Sequence, residues 1–165
     1  MTAIQTNNLL LKQLDALIAD EPNLLANLSN ASALLKEHLS TINWVGFYLY
    51  EKETDQLVLG PFQGKVACVR IDIGKGVCGT AFQKKESILV PDVLEFPGHI
   101  FCDAASQSEL VIPLISDSGL MGVLDIDAPI KNRFTEADRI LMEEFCAILM
   151  NSTKNSNKEI DFYTN

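Results

Sequence analysis

A cysteine, a glutamate and two aspartates fall within one short stretch of the sequence. Cys102 lies in a polar segment, Glu109 follows it, and Asp125 and Asp127 end an apolar run. Because side chains two positions apart in a strand share a face, the two aspartates are predicted to project together. Like charges held close repel, so one acid keeps a proton unless a cationic or polar ligand separates them. A thiol gathered with three acids indicates a functional site rather than packing.

The acids also bear on the reactivity of the Cys102 thiol. Nearby carboxylates raise the pKa of a thiol, whereas nucleophilic attack needs the thiolate. Two arrangements would resolve this conflict: a ligand ammonium could neutralise the acids, or Asp125 and Asp127 could share a proton that also serves as a catalytic acid. His99 could tune the thiol as well, although a histidine in such a position more often orders its loop.

Composition and charge limit the class of protein. Apolar residues make up 47% and charged residues 21% of the 165 residues, which predicts one folded domain over residues 1–150 and a polar tail over 151–165. A net charge of −9 with only 13 Lys and Arg argues against binding to nucleic acid. The sequence shows neither a secretion signal nor an apolar run long enough for a membrane span, so we expect a cytoplasmic protein without membrane contact.

The other three cysteines must therefore be interpreted singly, because cytosolic disulfides are usually transient and catalytic. Cys68 alternates with apolar neighbours, which leaves core packing and function equally open. Cys146, beside an aromatic residue on a predicted helix, is expected to be a buried inert thiol. A zinc site formed by Cys68, Cys78, His99 and Cys102 is disfavoured because no Cys-x-x-Cys pair occurs.

Helical patterns open and close the chain. Apolar residues recur at helical spacing over Gln5–Asp20 and again to about Leu39, with Pro22 just inside the second helix. This layer is expected to pack on the core, and a homodimer face is an additional role for it. Thr135 is a suitable cap for a closing helix that runs to about Met150.

Strand patterns fill the middle of the chain. Trp44–Tyr50 is rich in aromatic and β-branched residues, and alternation puts Val45 and Phe47 on one face and Trp44 and Tyr48 on the other. If the first pair faces the core, Trp44 and Tyr48 can line a cavity, although strand aromatics are more often core residues. The remaining predicted strands are Leu57–Leu59, Val66–Ile71, Ser87–Val90, Ser108–Ile115 and Leu120–Ile126.

Two irregular segments separate these strands. In the glycine-rich segment Gly74–Thr80, Lys75 is followed by Gly76 instead of Ser or Thr, so we interpret the glycines as tight turns near a ligand and not as a phosphate loop. The long segment Val93–Gln107 is typical of a lid or binding loop. Together the elements predict an α+β fold: a central antiparallel sheet of about six strands, with helices on one face and a loop-enclosed pocket on the other.

The motifs together resemble the GAF domain and, within that fold, the free methionine-(R)-sulfoxide reductases. The resemblance covers nearly the whole chain. Generic GAF modules do not have cysteines at the three positions of Cys68, Cys78 and Cys102. It rests on the segments Asn43–Tyr48, Gly74–Gly79, Pro91–Val93, Phe96–Ile100, Cys102–Asp103, Ser108–Glu109 and Gly122–Asp127. Phe101 departs from the family pattern, which has a smaller residue there.

The resemblance implies a role for each matching residue. Cys102 matches the catalytic cysteine, Cys68 the usual resolving cysteine and Cys78 an auxiliary or alternative resolver. The carboxylates of Glu109, Asp125 and Asp127 match those that hold the substrate amine and assist at the sulfoxide. Trp44 and Tyr48 match aromatic positions around the pocket.

The implied reaction is reduction of free L-methionine-(R)-sulfoxide to L-methionine. Cys102 would become a sulfenic acid, Cys68 would condense with it to a disulfide, and thioredoxin would restore both thiols. No bound cofactor is expected, since the electrons come through thioredoxin from NADPH. The alternative is a non-catalytic GAF module that senses a small ligand, which would leave three cysteines unexplained.

Overall fold

One antiparallel sheet of six strands forms the centre of this computed structural model, which describes residues 3–98 and 104–152. The spatial order of the strands is β3-β2-β1-β6-β5-β4. The strands are β1 (Trp44–Glu51), β2 (Gln56–Gln63), β3 (Arg70–Asp72), β4 (Ile88–Val90), β5 (Ser108–Ser116) and β6 (Gly119–Ala128). The helices are α1 (Ala3–Ile18), α2 (Leu24–His38), α3 (Gly76–Lys84) and α4 (Glu136–Asn151). The predicted α+β fold is confirmed.

Three helices cover one face of the sheet. Helices α1, α2 and α4 bury their apolar sides with Val45 and Phe47 of β1 and with Leu124 and Ile126 of β6. Trp44 and Tyr48 lie in a separate buried cluster on the other face. The predicted division of β1 into a core face and an aromatic face is therefore confirmed, and it follows from the two-residue period of a strand.

The fourth helix, α3, packs on the opposite face of the sheet, a detail that the sequence pattern did not reveal. Its Val77, Cys78 and Ala81 are buried in the same cluster as the β1 aromatics. Gly79 permits this close packing, because a Cβ atom there would lie 2.3 Å from the backbone oxygen of Asp72. A thiol is thereby carried to the face that the acids of β6 share.

The predicted boundaries of α2 and β3 are wrong. Helix α2 begins at Leu24, after the cap Asn23, so Pro22 precedes the helix instead of opening it. The predicted strand Val66–Ile71 is replaced by the shorter β3 (Arg70–Asp72), whose three residues pair in register with β2. Cys68 therefore lies in the connection between β2 and β3 and not on a strand.

Helix α4 closes the core with the predicted cap. The Thr135 hydroxyl accepts a hydrogen bond from the Asp138 backbone N–H, and the Asp138 carboxylate accepts one from the Thr135 backbone N–H at 2.8 Å. This reciprocal pair is a capping box. None of the helices in residues 3–98 and 104–152 is both long and apolar enough to cross a bilayer.

Replacing Thr135 by Ala should lower the free energy of unfolding by about 1 kcal/mol, because the Asp138 N–H then loses its partner. Urea denaturation of the wild type and the variant measures this difference. Thr135→Ser, which keeps the accepting oxygen, is the matched control and should stay close to wild type. Equal losses in both variants would show that the methyl group, and not the cap, is responsible.

Candidate functional site

Pairing between β5 and β6 brings the three predicted acids together. Glu109 lies directly opposite Asp127 in the register, and Asp125 lies two residues before Asp127 on the same face. On the other side of β6, Asp125 is opposite Gly46 of β1, which has no side chain to fill the space. The prediction that Asp125 and Asp127 share a face is confirmed. Glu109 and Asp125 are buried, whereas Asp127 is half-buried.

Helix α3 adds the Cys78 thiol to this acidic group. Cys78 Sγ lies 4.0 Å from Glu109 Oε1, and the donor atoms of Cys78, Glu109 and Asp125 all lie within 4.8 Å of one another. All three side chains are more than nine-tenths buried, with exposed fractions of 3%, 5% and 6%. We call these three residues, with Asp127 at their margin, the acid pocket.

Burial dominates the electrostatics of the acid pocket. It raises the pKa of Glu109 well above the usual carboxyl value, and the neighbouring Asp127 charge adds to the effect. Burial and the charge of Glu109 do the same to the pKa of Asp125. The pKa of the Cys78 thiol is raised well above normal by burial and then by the charges of Asp125 and Glu109. The group therefore favours protons or a bound cation over its full negative charge.

The two most deeply buried acids are not the pair that the sequence suggested for sharing a proton. Alternation along β6 pointed to Asp125 and Asp127, but Glu109 and Asp125 are the two acids buried deepest. Asp125 Oδ1 is buried and has no hydrogen-bond partner among the residues that the structure describes. A buried carboxylate oxygen without a partner is costly, so this atom is suited to accept a hydrogen bond from a ligand.

An aromatic wall stands beside the acid pocket. The rings of Trp44 and Tyr48 stack with centroids 5.9 Å apart, and the Phe62 ring also stacks on Trp44, with centroids 5.3 Å apart. Gly46 makes room for this stack, since a Cβ atom there would lie 2.3 Å from Phe62 Cβ. Sequence analysis missed Phe62 because Gly60 and Pro61 ended the predicted strand too early, whereas a shift in the β1–β2 register carries β2 past them.

The two predicted pocket aromatics also hold the segment that carries Cys68. Trp44 Nε1 donates a hydrogen bond to the Lys65 backbone oxygen at 3.1 Å, and the Tyr48 hydroxyl donates one to the Cys68 backbone oxygen at 3.0 Å. Both rings are almost fully buried, so these bonds are shielded from water. The aromatic wall thus joins the acid pocket to the Cys68 connection.

The described cysteines have different states. Cys68 is half-buried and disulfide-bonded. Cys78 and Cys146 are buried free thiols, as was predicted for Cys146. Cys102 and His99 lie outside the described residues, so their predicted roles remain predictions.

Two kinds of ligand fit the donor atoms of the acid pocket. One is an ammonium group, which could donate to the Asp125 and Glu109 carboxylates and offset their charge. The other is a metal ion, since a thiol sulfur and two carboxylate oxygens within 4.8 Å of one another are close enough to share one cation. A metal would require Cys78 to lose its proton, which burial opposes, whereas an ammonium would not.

Comparison with known proteins places this chain in a family. A model of the GAF domain matches residues 28–151. The free methionine-R-sulfoxide reductase of Escherichia coli is 52% identical over 138 residues, which cover 84% of this chain and 82% of that protein.

Solved structures agree with the sequence comparison. The fRMsr of Staphylococcus aureus in its reduced form is 52% identical with a TM-score of 0.85, covering 89% of this chain and 94% of that one. The free methionine-R-sulfoxide reductase of Neisseria meningitidis, in complex with its substrate, is 41% identical with a TM-score of 0.88, covering 93% and 92%. The chain belongs to the GAF-domain family and, within it, to the free methionine-R-sulfoxide reductases.

The raised carboxyl pKa values predict how stability depends on pH. Between the ordinary carboxyl pKa, about 4, and the raised value in the folded state, the folded protein holds protons that the unfolded chain has lost. The free energy of unfolding should therefore fall as pH rises through this window. Asp125→Asn removes part of this dependence, so the variant should gain stability relative to wild type between pH 5 and pH 8.

Urea denaturation at both pH values measures the effect. Asp15→Asn, on the exposed side of α1, is the matched control and should keep the wild-type pH profile. A constant difference between Asp125→Asn and wild type at the two pH values would contradict the assignment of a buried, proton-holding Asp125.

Proposed function

We propose that this protein reduces free L-methionine-(R)-sulfoxide to L-methionine. The observation that carries the proposal is the acid pocket, in which the unpartnered Asp125 Oδ1 and the neighbouring Glu109 carboxylate suit the ammonium of a free amino acid. Membership of the reductase family supports this substrate. The aromatic wall of Trp44 and Tyr48 offers an apolar surface for the methyl sulfoxide end of the side chain.

In the proposed first step the Cys102 thiolate attacks the sulfoxide sulfur. The oxygen passes to the cysteine, a proton is taken up, and methionine and a Cys102 sulfenic acid result. The acid pocket supplies what this step needs: an acid kept protonated by burial beside the bound substrate, for which Asp125 and Glu109 are the candidates. The substrate ammonium offsets the remaining charge and so eases thiolate formation.

In the proposed second step the Cys68 sulfur attacks the Cys102 sulfenic acid, which forms a disulfide and releases water. The disulfide-bonded state of Cys68 supports its choice as the main resolving residue. Cys78 is less suited to that role, because its pKa is raised and its free thiol is buried among carboxylates. We assign Cys78 chiefly to the acid pocket and keep resolution as its auxiliary role.

In the last step a thioredoxin-type dithiol reduces the Cys68–Cys102 disulfide and is itself oxidised. Overall, one sulfoxide and one dithiol give one sulfide, one disulfide and water. Electrons would reach thioredoxin from NADPH, so the protein needs no bound cofactor of its own.

The direct test follows NADPH loss with thioredoxin, its reductase and L-methionine-(R)-sulfoxide. Wild type should consume NADPH, and Cys102→Ser should abolish turnover because the nucleophile is gone. Cys68→Ser should release about one methionine per enzyme and then stall, since the sulfenic acid has no partner. If Cys78 substitutes, the stall should appear only in the Cys68→Ser, Cys78→Ser double variant.

Cys146→Ala is the control and should keep wild-type turnover per folded molecule, because Cys146 is buried in the helical layer away from the acid pocket. A fully active Cys102→Ser protein would end the assignment. No NADPH loss with wild type would favour a ligand-sensing module instead.

Asp127 lies opposite Glu109 at the margin of the acid pocket, so we propose that its carboxylate adds to the amine contact of Asp125 and Glu109. This contact predicts a selective effect of Asp127→Asn. Loss of one negative charge should raise the KM for the free amino acid about tenfold, corresponding to one charge-assisted hydrogen bond. The KM for an N-acetylated analogue, which carries no ammonium, should change much less. Equal changes for both substrates would remove Asp127 from the amine site.

A further inference from the structure

The connection that carries Cys68 exposes two valines to solvent. Val66 is 88% exposed and Val69 is 64% exposed. Both are apolar, β-branched and close in sequence to a disulfide-bonded cysteine. Ala67 and Cys68 turn the other way and pack against the buried cluster of the α3 face. The connection therefore presents one apolar pair outward and anchors the residues between them inward.

Fixed backbone contacts hold the valines in this position. The Lys65 and Cys68 carbonyls accept hydrogen bonds from Trp44 and Tyr48, and the Val69 carbonyl accepts one from the Leu59 N–H at 2.9 Å. Anchoring at three points along so short a segment restricts its conformations, so the exposure of the valines is a property of the fold. Exposed apolar side chains grouped at one place indicate an interaction surface.

Charge near the valines contrasts with the rest of the chain. Residues 63–71 contain Lys65 and Arg70 and no acid, although the whole chain has a net charge of −9. Arg70, which follows Val69, forms an ion pair with Glu51, whereas Lys65 is exposed directly before Val66. The surface is thus apolar with a basic margin, which complements a partner whose contact face is apolar with an acidic margin.

We propose that Val66 and Val69, with Lys65 at their margin, form the docking surface for the dithiol protein that reduces the Cys68 disulfide. The inference rests on the proposed function, in which such a reductant must reach this sulfur. Thiol–disulfide exchange requires the attacking sulfur to approach the disulfide closely, so the partner must contact the residues around it. Val66 and Val69 flank Cys68 on both sides.

The exchange at this surface balances as follows. A thiolate of the reductant attacks Cys68 Sγ, a new S–S bond forms between the two proteins, and the bond from Cys68 to Cys102 breaks. Cys102 leaves as a thiolate and takes up a proton. The second thiol of the reductant then attacks the mixed disulfide and releases Cys68, so the reductant loses two electrons and this protein gains them.

The test uses the Val66→Ser, Val69→Ser double variant of the full chain. The KM for thioredoxin should rise about tenfold or more, because two exposed valines no longer become buried on docking. With dithiothreitol, which needs no docking surface, turnover and the KM for methionine sulfoxide should match wild type. The Leu25→Ser, Ile140→Ser double variant is the matched control, since these residues are 50% and 54% exposed on α2 and α4. It should leave turnover and both KM values unchanged.

Charge reversal at the margin gives a second measurement. Lys65→Glu should raise the KM for thioredoxin at low ionic strength, and added salt should reduce the difference from wild type. The Lys65 backbone oxygen still accepts the Trp44 hydrogen bond in this variant, so the connection keeps its anchor. An unchanged KM at low salt would remove Lys65 from the surface.

Direct reduction of the oxidised protein separates this inference from the proposed function. Rates of disulfide reduction by thioredoxin and by dithiothreitol can be measured without methionine sulfoxide, so they remain informative even if the protein has no reductase activity. Slower reduction of the double valine variant by thioredoxin alone would support the docking surface. Equal rates for variant and wild type would overturn it.

Two other results would also overturn the proposal. A raised KM for methionine sulfoxide with dithiothreitol would show that the valines line the substrate entrance. A change in molecular mass in solution, with thioredoxin kinetics unchanged, would show that they join two copies of this chain.

Discussion

Burial of two carboxyl groups beside a thiol is the constraint on which the site depends. Glu109 and Asp125 lie between the sheet and α3, where water cannot stabilise their charge, so burial raises the pKa of each well above its usual value. Such an arrangement would be unfavourable in a purely structural core, because apolar residues of similar size would fill the space at lower cost. The arrangement suits a site that binds a cationic group.

The rest of the fold fixes the positions of Glu109, Asp125 and Cys78 closely. Glu109 and Asp125 come from two neighbouring antiparallel strands, whose hydrogen-bonded register fixes their separation. Cys78 arrives on α3, which can approach the sheet because Gly79 has no side chain. On the opposite face, α1, α2 and α4 supply the apolar burial that offsets the cost of keeping polar groups on this one.

The aromatic wall contacts both the acid pocket and the Cys68 connection. Trp44 and Tyr48 each present a ring to the buried cluster and a hydrogen-bond donor to the backbone of the Cys68 connection. A change in the position of either ring would therefore alter both the acid pocket and the backbone next to the Cys68 disulfide. This double contact is a physical route by which binding next to the wall could be linked to thiol chemistry at its edge.

Sequence alone determined the features that depend on local periodicity. The period of two placed Asp125 with Asp127 and Trp44 with Tyr48 on shared faces, and Thr135 ahead of a helical pattern indicated the cap of α4. These predictions succeed because neighbouring positions have a fixed relative geometry once the strand or helix has formed.

Only the tertiary structure decided which groups share the buried pocket. Glu109, not Asp127, is the acid buried with Asp125. Burial depends on strand pairing and on depth in the sheet, and the local sequence pattern specifies neither. Cys78 joins them through a helix that packs on the unexpected face, and Cys68 lies in the connection before β3 instead of on its predicted strand. The residue types indicated the chemistry of the site. Which side chains lie together in it depends on long-range packing, since the distances between elements are set by the whole fold.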